Sequence, residues 1–177
     1  MRLELLAARH RSLAVTACEW RAFGLADPDR MADEAFDQLL SQPDPDLADL
    51  YDAIDRVVQL TYDRYAAQTS VLERLTSNLT IRPRTTRRDP NELLNILSLL
   101  RAKHREVLQL RYWDGLSDAE AAEALRMDPD KLVERRAKAE ARFLARVNKD
   151  YPEVIALDVP QLVASIKPGT HTRDEAE

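Results

Sequence analysis

Apolar residues recur every three or four positions through most of the chain, which is the rhythm of a helix with one buried face. Leu3, Leu6, Ala7, Leu13, Ala14, Ala17, Trp20 and Phe23 keep it over 3–23. Gly24 then breaks the pattern, and Asp27-Pro28 supplies a helix start. A second helix is predicted over 28–40, with Met31, Ala35, Phe36, Leu39 and Leu40 on one side. The turn-forming run SQPDPD (41–46) ends it. A long third helix is predicted from Leu47 to Leu79, its stripe running through Leu50, Tyr51, Ile54, Val57, Val58, Tyr62, Tyr65, Val71, Leu72 and Leu75.

The segment IRPRTTRRDP (81–90) has no apolar period, and Pro83 and Pro90 stop a helix from crossing it. Helical rhythm resumes after it. Asp89 and Pro90 start a helix that reaches about Leu100, and a second follows over AKHREVLQLRYWDG, with Val107, Leu108, Leu110, Tyr112 and Trp113 as core candidates. Ser117 and Glu120 have the spacing of a capping box before a short helix at 118–125. Asp128-Pro129 starts a last long helix that runs to about Asn148, before Tyr151-Pro152. Few glycines and many Ala, Leu, Arg and Glu agree with helix throughout. The expectation is therefore an all-α protein of two small helical domains, 1–80 and 91–150, joined by a basic Pro-containing linker at 81–90. The tail 151–177 has an apolar first part, from Val154 to Ile166, that folds back as an extra helix or binds a regulator.

Charge divides along the same lines. The whole chain carries a net charge of −5, yet residues 1–80 hold 8 Lys/Arg against 14 Asp/Glu, the linker 4 against 1, residues 91–150 12 against 11, and the tail 2 against 5. An acidic front, a basic connector and a balanced second half suit different partners. No apolar run is long enough for a membrane span, and the start MRLELLAARH does not read as a signal peptide. Cys18 is the single cysteine, so the cytoplasm is the expected compartment. His10, His104 and His171 are scattered, with no partner at metal-ligand spacing, and no Gly-rich loop could cradle a phosphate. Neither an enzyme nor a bound metal or cofactor is expected.

The stretch HREVLQLRYWDGLSDAEAAEAL resembles region 4 of bacterial sigma factors, above all the short extracytoplasmic-function type, whose form is REVLxLRYxxGLSxxEIAxxL. Arg105, Glu106, Val107, Leu108, Leu110, Arg111, Tyr112, Gly115, Leu116, Ser117, Glu120, Ala122 and Leu125 carry the likeness. More faintly, ADEAFDQLL (32–40) is similar to the acidic helix of sigma region 2, and LYDAIDRVVQLTYDRYA falls where that family has its promoter-melting helix. The resemblance implies a transcription-initiation factor whose partners are core RNA polymerase and double-stranded promoter DNA, with an anti-sigma factor as a further partner it leaves open. It implies that region 2 grips the polymerase and opens the −10 element, and that the helix-turn-helix of region 4 reads the −35 element.

Onto that pattern the residues map unevenly. Lys131, Arg135, Lys138 and Arg142 form one basic stripe along the last helix and are the candidate DNA contacts. Asp33, Glu34 and Asp37 are the candidate contacts to polymerase. Asp128, Asp130 and Glu134 repel phosphate at the end of the helix that should enter the groove, although Asp128 is explained as a cap. Arg126 stands where the family has a turn glycine, and Arg136 where it has a buried leucine. The third helix pairs Tyr51, Tyr62 and Tyr65 with Asp49, Asp52, Asp55 and Asp63, a poor charge balance for holding a single strand. Two rival readings follow: a helix-turn-helix regulator with a dimerisation or ligand domain in front, and a sigma-like interaction protein that has lost DNA readout.

Overall fold

The computed structural model describes residues 3–68, 90–150 and 158–167, all of them in helices or the turns between them. The helices are α1 (Leu3–Ala22), α2 (Pro28–Gln38), α3 (Leu47–Gln68), α4 (Pro90–Ser98), α5 (Ala102–Tyr112), α6 (Asp118–Ala124), α7 (Pro129–Asp150) and α8 (Val159–Ser165). Local chemistry sets most of the starts. Asp27 accepts from the Asp29 amide ahead of Pro28, Asp46 from the Asp49 amide, and Asp158 from the Gln161 amide. The second helix ends at Gln38 rather than 40, leaving Leu40 exposed. Residues 69–79 of the expected third helix and the linker at 81–89 lie outside the described residues, and Pro90 opens α4.

Helices α1, α2 and α3 pack mutually, and α6 packs on α3. One apolar cluster consequently runs from Leu6, Leu39, Leu50 and Ile54 straight into Leu116, Ala121 and Leu132. A second cluster gathers α4, α5, α7 and α8 around Phe143 and Trp113, and Trp20 of α1 belongs to it. The helices on either side of the expected linker thus share both cores. Part of the tail folds back: α8 buries Val159, Leu162 and Val163. Trp113 Nε1 donates to the Val163 carbonyl at 2.7 Å, and Lys167 Nζ to the Trp113 carbonyl at 2.8 Å.

Where α5 ends, Trp113 and Asp114 turn inward and Gly115, at φ +77°, lets the chain leave. The Asp114 side chain is fully buried. It accepts from Trp20 Nε1 at 2.5 Å, from Tyr51 Oη at 2.9 Å and from the Arg21 guanidinium at 3.1 Å. These donors come from α1 and α3, so one carboxylate of the second half collects three donors of the first. Above it, Arg21 lies 4.1 Å from the centre of the Trp20 ring, and the Trp20 and Trp113 rings meet edge to face at 4.7 Å. Tyr51 is held un-ionised, its hydroxyl pushed well up by burial and then by the Asp114 charge.

A buried carboxylate that loses its partners, or partners that lose it, are costly in a way a surface pair is not. Asp114→Ala leaves an arginine, an indole and a phenol without their acceptor and should lower stability by about 3–5 kcal/mol. Asp114→Asn keeps an acceptor oxygen and should cost about half as much. Urea unfolding followed by circular dichroism checks both, and equal losses would mean that the charge contributes nothing.

Candidate nucleic-acid interface

Helices α6 and α7 are joined by a tight turn over 125–128. Ser117 caps α6 through the full reciprocal box: its Oγ accepts from the Glu120 amide at 3.2 Å, and its own amide donates to Glu120 Oε2 at 2.9 Å. Those hydrogen bonds to Ser117 hold the Glu120 carboxyl below its usual range. At the other end the Met127 amide bonds the Ala122 carbonyl at 2.8 Å. That closure requires a left-handed residue at 126, and Arg126 takes φ +48°. The side chain gives the compensation, since its guanidinium bonds Asp52 at 2.9 Å and Asp49 at 2.8 Å, both on α3. The turn is therefore not loosened by the missing glycine but tied to the first half.

Helix α7 opens with Asp128, whose Oδ1 accepts from the amides of Asp130 and Lys131 at 3.0 and 3.2 Å. Leu132, Ala139, Phe143 and Val147 form its buried face. Arg136, placed where a buried leucine was expected, is instead held between Asp118 at 3.0 Å and Glu140 at 2.9 Å. Tyr112 donates to the same Glu140 at 2.6 Å, and burial with that acceptor raises its hydroxyl to about 12. An ion cluster thus fixes the angle between α6 and α7 where an apolar contact would ordinarily serve.

The four cations of the predicted stripe meet different fates. Lys131 is exposed in the first turn of α7 and has no side-chain partner among the described residues. Lys138 is paired with Glu134, one turn earlier. Arg135 is half-buried and lines a crevice of about 310 Å³ together with Asp52 and Asp55 from α3 and Glu106 from α5. Burial and the Asp55 charge raise the Glu106 carboxyl. Arg142 lies over His104, its Nη1 2.8 Å from Nδ1. His104 is only 3 % exposed. Burial first, then Arg142, Lys103, Arg101 and Arg135, lower its pKa. Arg101 and Lys103 were not singled out in the sequence. The signal available there was two cations flanking the start of a helix with no acidic residue in its first turn.

On the first half, Asp33 is bound by Arg11, whose hydrogen bond holds its carboxyl below the usual range. Glu34 sits between Arg30 at 3.3 Å and Arg64 at 3.6 Å. Asp37 is exposed, with no partner among the described residues. The three tyrosines separate by environment. Tyr51 is core, Tyr62 donates to the Arg21 carbonyl at 2.9 Å, and Tyr65 is 51 % exposed. Cys18 is buried, which pushes its thiol up to about 11. Among the described residues no cluster of His, Cys, Asp or Glu could hold a metal ion, and no helix is long and apolar enough to cross a membrane.

Comparison with protein-family models, with curated proteins and with solved structures gave no match.

Two substitutions at the turn separate backbone from side chain. Arg126→Gly and Arg126→Ala both lose the pairs to Asp49 and Asp52, but only alanine keeps the left-handed penalty. The glycine variant should be the more stable of the two by about 1 kcal/mol, read from unfolding midpoints. His104 gives a pH test. Its folded-state pKa lies below the 6.5 of the free side chain. The stability tied to the neutral ring is therefore complete above that value and is lost as pH falls through it. Between about pH 7 and pH 5.5 the wild type should lose more stability than His104→Gln, and parallel losses in denaturant titrations would rule this out.

Proposed function

We propose that this chain is a sigma-like transcription-initiation factor that acts by binding core RNA polymerase and promoter DNA rather than by catalysis. The observation that carries the reading is the α5–α6–α7 unit, built from the very residues that resemble sigma region 4. A boxed α6, a tight turn and an α7 with an open first turn have the arrangement of a helix-turn-helix. Lys131 stands free at the end that would enter the major groove, with Asp130 beside it as an acceptor suited to cytosine N4. Asp37 and the partly neutralised Asp33 and Glu34 are the surface offered to a basic face of polymerase. Work in the cytoplasm, with an anti-sigma protein as a further partner, belongs to the same reading.

A second reading is favoured by Arg126 and Lys138. Both are already neutralised within the chain, by Asp49 and Asp52 and by Glu134. A protein that occupies polymerase without reading DNA would look the same in these two places. Co-elution with core polymerase, followed by run-off transcription on fragments of the source genome, separates the readings. A transcript that depends on the protein supports the initiation factor. Co-elution without any transcript supports the occupying protein, and absence of both refutes the polymerase reading.

A further inference from the structure

We propose that Arg101 and Lys103, at the start of α5, join Arg142 and Arg135 of α7 in a site for the sugar-phosphate backbone of duplex DNA. This rests on the DNA-binding reading above and carries it to residues outside α7.

Several cations elsewhere in the fold are matched by acids: Arg11 with Asp33, Arg30 with Glu34, Arg126 with Asp49 and Asp52, Arg136 with Asp118. Arg101, Lys103, Arg135 and Arg142 have no carboxylate ion pair or hydrogen bond among the described residues. Arg101 and Lys103 immediately precede His104 at the start of α5, and Arg142 packs on its ring. Arg142 is in contact with the His104 ring at 2.8 Å, and the charges of Arg142, Lys103, Arg101 and Arg135 all oppose its protonation. Uncompensated like charges held together are a strain that an anion relieves, and in a chain of net charge −5 they are out of place as mere solubilising groups.

The backbone under them adds to the attraction. Helices α2, α3, α6, α7 and α8 each begin with a side chain that caps the free amides. Helix α5 begins with Arg101, has no side-chain cap and carries no acidic residue in its first turn. Its uncapped end keeps its partial positive charge for an outside ligand.

Length then argues for a duplex. Arg142 lies eleven residues beyond Lys131 on one helix. At a rise of about 1.5 Å per residue that is roughly 16 Å, more than the roughly 12 Å width of the major groove. With Lys131 in the groove, the cluster at His104 falls at its edge, where the strand passes. Arg135 is the weakest member, because its other side faces the crevice acids Asp52, Asp55 and Glu106.

The test uses the full chain and a labelled duplex carrying the recovered promoter, with a scrambled duplex beside it, titrated over a series of salt concentrations. The double variant Arg101→Ala/Lys103→Ala should bind both duplexes more weakly and keep the preference between them. Its slope of log K against log salt should be shallower by about 1.8, or 0.9 for each lost phosphate contact. The exchange Arg101→Lys/Lys103→Arg should keep the slope. Both residues are exposed, and an unchanged circular dichroism spectrum verifies the fold. An unchanged slope in a variant of a DNA-binding wild type overturns the backbone site alone. Loss of preference without loss of slope reassigns the pair to base contacts and overturns it too. A wild type that binds no duplex even at low salt removes the DNA reading and this site together.

Discussion

Asp114 is the constraint on which the arrangement of helices depends. A carboxylate excluded from water is tolerable only when its oxygens are filled by good donors. Here Trp20, Arg21 and Tyr51 fill them, and all three come from helices more than sixty residues earlier in the chain. The charge therefore does more than satisfy itself. It selects one way of placing α1 and α3 against α5, because a different placement would leave the carboxylate, the Trp20 indole and the Tyr51 phenol buried and unpaired. Apolar packing between Leu116, Ala121 and the first-half core supplies contact area, but area tolerates sliding and a filled carboxylate does not.

From that fixed point the α6–α7 unit inherits its setting. The Arg126 turn is held on Asp49 and Asp52, and the Leu47 amide donates to Glu123 at 3.3 Å, so α6 is fastened along the side of α3. On the opposite flank α8 closes the second core over Trp113 and Phe143. The first turns of α7, where Lys131 and Val133 are exposed, are left open between these supports. Electrostatics along α7 is graded: offset by acids toward α3, uncompensated toward the start of α5.

Much of this was legible in the order of residues. Helix starts at Asp27, Ser117 and Asp128 could be read directly, because a cap is a local interaction between residues two or three apart. Most of the buried faces of α1 and α3 followed from spacing for the same reason, although Phe23 and Tyr65, read as part of those stripes, are exposed. What could not be read was long-range. Nothing in the run YWDG says that its aspartate meets an indole, a guanidinium and a phenol from the other half. Nothing in GLADPDR says that Trp20 joins the second core. The stripe Lys131, Arg135, Lys138, Arg142 was visible as a helical period. Its division into a free lysine, a paired lysine and two arginines near His104 depends on α3 and α5, which periodicity along α7 does not encode. Arg126 and Arg136 looked like defects in the pattern. Each is an ion-paired residue doing by charge what glycine freedom or leucine packing would otherwise do.

The chain has two tryptophans, and both sit in the edge-to-face pair at the seam between its halves. One indole hydrogen-bonds the buried carboxylate and the other a carbonyl of the tail helix. Tryptophan emission from the unlabelled protein therefore comes wholly from that junction. Parting of the halves, whether by a ligand, a partner or denaturant, is written into the colour and intensity of its own light, with no dye to attach.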